Sequence, residues 1–171
     1  ELKELQDVYG WEIAGHYDNA MTNYTENELH NIQNEILTTL RIKGLVVDNF
    51  IYPNGLYNDT VQKVTSQYYR SACSTGQTTH NRYDRMKMYE LARSATPSLS
   101  YENRLETLKQ RVDNAVAANG LLIFTTHIWN MEQRHLDELQ ELIDYIKSKG
   151  VRITTLNKAL DDFAPLTQSK Y

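Results

Sequence analysis

The chain has 171 residues, 40% of them hydrophobic and 23% charged, with a formal net charge of −4 and a pI near 5.7. That length and balance suit one globular domain, residues 1–171 together, with one substantial core. The acidic charge gives no electrostatic footprint for nucleic acid, no like-charge run marks an anionic membrane surface, and the longest apolar segment, Gly120 to Phe124, is far too short to span a bilayer.

Helical and extended periods alternate along the chain. Leu2, Leu5 and Val8 repeat at helical spacing until Gly10 stops them, and Trp11 to His16 then reads as a strand. Thr25 and Glu28 form a capping box ahead of a helix striped by Leu29, Ile32, Ile36, Leu37 and Leu40, which Gly44 ends. Val46 to Tyr52 is extended and closes on Pro53 and Asn54-Gly55, after which Asn58 caps a short helix holding Val61 and Val64. Tyr68 to Cys73 is strand-like, and Cys73, the sole cysteine, reads as a small packed residue rather than a nucleophile. The polar stretch Ser74 to Asp84 is a candidate surface excursion, and Met86 to Leu91 looks extended, with Arg93 just after it. A helix from Ser100 carries Leu105, Leu108, Val112 and Val116 on one face and stops at Asn119-Gly120. Leu121 to Thr126 is a continuously apolar strand that runs into His127. Leu136, Leu139, Leu142, Ile143 and Ile146 mark the next helix, ended by Gly150. Val151 to Thr154 reads as a last strand and Leu156 to Phe163 as a closing helix.

Strands alternating with helices of this length predict an α/β fold with a parallel sheet. An open doubly wound sheet and a barrel both fit the periodicity. No glycine-rich phosphate fingerprint follows any strand, which weighs against a nucleotide site. Because the chain opens on a helix, the strand feeding that helix is expected further upstream.

In parallel α/β folds, ligands bind at the carboxyl ends of the strands. The residues at those ends are His16, with Asp18 just beyond, then Pro53, Asn54 and Gly55, then Arg93, then His127. A histidine after a strand is often an ordinary hydrogen-bonding loop residue, but two on one rim with a carboxylate are the makings of a site. Imidazoles ligate zinc or shuttle protons near neutral pH, so a metal-activated water with a histidine acid is the economical mechanism. Tyr17, Tyr52, Tyr57 and Trp129 are candidate walls for a sugar-holding cleft, and equally ordinary packing residues in a chain with twelve tyrosines.

At these residues the sequence resembles the polysaccharide deacetylases, the NodB-homology or family-four carbohydrate esterases. The stretch GWEIAGHYDNAMTNYTENEL is similar to that family's second motif, FIYPNGLYND to its third, LLIFTTHIW to its last, and LQELIDYIKSKGVRITTLNKAL to its closing helix, strand and helix. The resemblance implies a distorted parallel (β/α) barrel that removes acetyl groups from N-acetylated polysaccharide or a peptidoglycan-like glycan, outside the cell or at its envelope. It makes His127 the catalytic acid, His16 a ligand of a divalent metal such as zinc, and the Asn54 backbone N–H part of the oxyanion hole beside Pro53. Three positions depart from the family pattern: Ala20 replaces the second metal histidine, Ile51 the arginine and Asn54 the tyrosine of the third motif. The family's Asp-Asp motif is expected before residue 1. Asp18 is then the candidate substitute ligand and Arg93 the substitute arginine, with Tyr52 and Trp129 lining the substrate. A metal site so reduced leaves two expectations, a hydrolase with a degenerate centre or a binding module without turnover. The 171 residues alone are expected to hydrolyse little.

Overall fold

A computed structural model describes residues 1–75, 80–96, 104–127, 129 and 131–167, the side chains of 104 and 163–167 excepted. In chain order the elements are α1 (Leu2–Asp7), β1 (Ile13–Gly15), α2 (Glu26–Ile42), β2 (Val47–Ile51), α3 (Asp59–Thr65), β3 (Ser71–Thr75), β4 (Leu91–Ala95), α4 (Arg104–Ala117), β5 (Ile123–Thr125), α5 (Gln133–Ser148) and α6 (Leu156–Thr167). β1 pairs with β2, β2 with β3 and β4 with β5, and each of these pairings is parallel. The α/β reading with parallel strands therefore holds. Among the described residues no helix is long and apolar enough to cross a membrane.

Local signals set the helix ends. The Thr25 hydroxyl accepts the Glu28 N–H at 3.4 Å while the Glu28 carboxylate takes the Thr25 N–H at 2.8 Å, closing the expected capping box of α2. At its other end Gly44 adopts φ +74°, and the N–H of Leu45 bonds the Leu40 carbonyl at 3.1 Å. Only a residue without a side chain enters that left-handed turn cheaply. Asn58 caps α3 through Val61 N–H at 2.9 Å, also as expected.

Two compact units arise. The first comprises Glu1–Thr75, Lys87–Leu91 and Thr155–Tyr171, the second Gly76–Met86 and Ala92–Thr154. The first core gathers Met21, Leu29, Ile32, Phe50, Tyr52, Val61, Val64 and Tyr69 between α2, α3 and the strands β1 to β3. The buried residues of the second are aliphatic, Leu108 and Val112 of α4 meeting Leu142 and Ile146 of α5, with the partly buried Leu122 and Phe124 packed against them.

Several expected strands move. The third begins at Ser71 because Tyr68 and Tyr69 still donate to the Thr65 carbonyl at 3.1 Å, prolonging the turn that follows α3. Met86 is extended, but no strand runs from it to Glu90: the Glu90 N–H closes a turn on the Lys87 carbonyl at 3.0 Å, and β4 starts only at Leu91. Arg93 is therefore the third residue of β4, not a residue beyond a strand. Val151 to Thr154 forms no strand, since Val151 N–H turns back to the Ile146 carbonyl and Ile153 stands 54% exposed, with no strand beside them among the described residues. The expected helix start at Ser100 lies outside the described residues, as do residues 76–79 of the expected excursion. Within that excursion Ser74 and Thr75 belong to β3, while Asn81 is buried.

At the amino ends of the first unit's strands, polar side chains tie the closing helix down. Asn49 of β2 is fully buried; its amide nitrogen donates to Glu12 and to Asn157 Oδ1 (2.9 Å), and its oxygen accepts the Ser71 hydroxyl at 2.6 Å. Asn157 in turn donates its backbone N–H to Glu12 and its amide to Asp48, both at 2.7 Å. Arg70 reaches the Asn157 carbonyl at 3.3 Å and pairs with Asp161 at 2.7 Å. Because every buried donor here meets an acceptor, the cluster fixes where α6 begins.

Candidate functional site

Parallel pairing places the carboxyl ends of β1, β2 and β3 on one rim of the first unit. His16 follows β1 directly and is exposed, and its Nδ1 lies 2.8 Å from the Ile51 carbonyl at the end of β2. A carbonyl only accepts, so Nδ1 carries a proton, and the neutral form of the ring has its lone pair on Nε2. That is how histidine ligands and proton acceptors are held elsewhere, by a hydrogen bond on the opposite nitrogen. Asp18, two residues on, is exposed in the bend that follows.

The next strand end is a tight turn. The Tyr52 and Pro53 carbonyls accept the N–H groups of Gly55 and Leu56 at 2.9 and 3.0 Å, and the Asn54 N–H takes part in neither bond. Asn54 itself adopts φ +54°, a left-handed conformation that asparagine tolerates better than most residues. A Cβ on Gly55 would lie 2.1 Å from Thr75 Oγ1 and 2.3 Å from Thr75 N, so only glycine lets this turn rest on the end of β3. The two loops are joined by Asn58, whose amide donates to the Thr22 carbonyl at 3.0 Å, and Met21 anchors the His16 loop in the core.

The tyrosines divide. Tyr52 is 0% exposed, with Phe50 edge-on at 5.7 Å and Tyr57 stacked at 5.1 Å, so it is a core residue and not a wall for a ligand. Pro53 is buried too, leaving Asn54 as the exposed member of the turn. Tyr17 and Tyr57 are half-buried. A hydrogen bond with Tyr24 holds the Tyr17 phenol above its ordinary range, and burial does the same to Tyr57, so both remain hydrogen-bond donors.

In the second unit the corresponding rim lies at the carboxyl ends of β4 and β5. Arg93 pairs in register with Ile123, and its guanidinium reaches Thr125 Oγ1 at 3.4 Å, pointing along the strands toward that rim. Beyond β5, His127 and Trp129 are both exposed, Trp129 at 76%, with ring centroids 4.7 Å apart and planes tilted by 44°. An exposed indole beside an imidazole offers a flat apolar face next to a proton-transfer group.

The structure thus joins His16 to the Ile51 end of β2, and His127 to Trp129. A metal site is not completed: among the described residues no group of three or more His, Cys, Asp or Glu side chains stands ready to hold a cation. Zinc centres use about three or four protein ligands, and His16 supplies one oriented nitrogen.

Sequence reasoning missed two buried polar residues of the second unit. Asn81 clamps the Ala92 backbone, donating to its carbonyl at 3.0 Å and accepting its N–H at 2.7 Å. His135 sits in the first turn of α5, where its Nδ1 takes the Glu132 N–H at 2.9 Å. Asn81 gave no periodic signal, whereas His135 three places after Glu132 occupies the Glu/Gln position of a capping box. Compared with known proteins, the chain matches no family model and no curated protein.

Proposed function

We propose that the chain belongs to a polysaccharide deacetylase-like hydrolase that cleaves the amide C–N bond of N-acetylated sugars, on a distorted (β/α) barrel with a degenerate metal site, acting outside the cell or at its envelope. One observation carries the reading: the His16 ring, at the carboxyl end of a parallel strand, is fixed by the Ile51 carbonyl with Nε2 as its free lone pair. In this reading His16 and Asp18 are what the chain offers a divalent cation. His127 gives a proton to the departing amine, the Asn54 N–H faces the carbonyl oxygen, Arg93 supplies positive charge and Trp129 stacks on a sugar ring.

A second reading, a carbohydrate-binding module without turnover, is favoured by Ala20 and Ile51, which stand where the family has its second metal histidine and its arginine. Acetate release from chitooligosaccharide by the protein with the expected upstream Asp-Asp motif in place, measured beside glycan affinity, separates the two. The hydrolase requires release that a chelator suppresses and that His127→Ala lowers on the order of 10²-fold. Turnover untouched by His127→Ala would remove its acid role. Glycan binding without acetate release selects the module, and neither binding nor release rejects both.

A further inference from the structure

His135 is the third residue of α5, yet it is only 6% exposed. Its Nδ1 accepts the Glu132 N–H at 2.9 Å, while the Glu132 carbonyl receives the N–H groups of His135 and Leu136 at 2.9 and 3.2 Å. An N–H only donates, so this ring keeps its lone pair on Nδ1 and its proton on Nε2, the tautomer opposite to that of His16. The usual residue here is glutamate or glutamine, whose flexible chain must be ordered to reach back. A buried imidazole does the same with two torsions and holds the helix start more rigidly.

Glu132 caps α5, and Met131 stands directly before it. The hydroxyl of Thr126, the residue after β5, lies 3.6 Å from Met131 Sδ, so the exit from β5 is joined to the residue beside Glu132. We propose that His135 is a positioning residue for His127 and Trp129, its bare Nδ1 fixing the Glu132 N–H and, through the neighbouring Met131 and its contact with Thr126, the residues on either side of the two rings. The functional consequence rests on the reading of His127 as the proton donor; the positional claim does not.

The chain has two tryptophans, so Trp11→Phe leaves Trp129 as the sole indole. Protonation of a neighbouring imidazole quenches indole emission, and the size of the quenching step in a pH titration reports how closely His127 and Trp129 are held. His135→Leu is expected to shrink that step about threefold and, where acetate release is measurable, to lower kcat roughly tenfold with KM within about twofold. His135→Gln, which returns an acceptor to the same position, is expected to restore both. A full step in folded His135→Leu, or a step lost equally in both variants, overturns the proposal. Nitrogen NMR of the unaltered protein tests it without any variant: Nδ1 of His135 must be unprotonated and coupled to the Glu132 amide, and a proton on Nδ1 refutes it. Absence of acetate release from every form, those with the expected upstream motif included, rejects the hydrolase reading alone, because the fluorescence step still decides the positioning.

Discussion

Tyr52 and Tyr69 show what burial does to a single ionisable group. They are 0% and 4% exposed, and burial raises both phenols well above their ordinary value of 10.0; for Tyr69 the charge of Arg41 offsets only part. The phenolate, not the phenol, is what the core rejects. The folded state therefore keeps these protons at pH values where the unfolded chain has lost them. Their contribution to stability is whole below about pH 10 and declines as pH climbs beyond it. Urea midpoints are expected to stay level from about pH 8 to about pH 10 and to fall above that. The Tyr69 hydroxyl has no hydrogen-bond partner among the described residues, so Tyr69→Phe should be neutral or stabilising by about 1 kcal/mol, and should lessen the alkaline loss. An alkaline loss unchanged in Tyr69→Phe would show that other groups drive it.

Among the elements, α6 owes its place to Asn157 more than to its own capping. Thr155 caps the helix weakly, its hydroxyl 3.4 Å from the Lys158 N–H, whereas Asn157 meets Glu12, Asp48, Asn49 and Arg70. Removing the Asn157 side chain leaves the buried Asn49 amide and the Asp48 carboxylate each short of a partner. Truncation to Asn157→Ala is therefore expected to cost about 2–4 kcal/mol. Urea unfolding measures the cost, and a loss under about 0.5 kcal/mol would mean that solvent replaces the network freely. The turn at Pro53–Gly55 obeys the same logic, since its shape depends on the lack of a side chain at Gly55 facing Thr75.

Across the whole molecule the two units differ in how their strands are covered. In the first, Phe50 and Ala72 are fully buried beneath α2 and α3, and aromatic rings fill the space between. In the second, all three residues of β5 are only half-buried and the core is aliphatic. Burial protects backbone hydrogen bonds from opening, so protection should follow the same division. Hydrogen exchange is expected to be slowest at Phe50 and Ala72 and faster at Ile123 and Phe124; the reverse order would contradict this account. The rim bearing His127 then belongs to the readily opened end of the scale, where ligand-binding segments are commonly found.

Much of this was legible in the residues themselves. The capping box of Thr25 and Glu28, the stop at Gly44, the Asn58 cap and the alternation of strand and helix all follow from patterns a few residues long, because such patterns act directly on neighbouring backbone dihedrals. They established parallel α/β organisation and put His16 and His127 just beyond strands. What only the tertiary structure decided is which distant groups meet: Asn157 with Glu12, 145 residues apart, Asn81 with the Ala92 backbone, and the His16 ring with the Ile51 carbonyl. It also buried Tyr52, drew Arg93 into β4 and left Val151 to Thr154 without a strand. Strand register and burial are collective outcomes of packing, and a one-residue shift reverses which face a side chain takes.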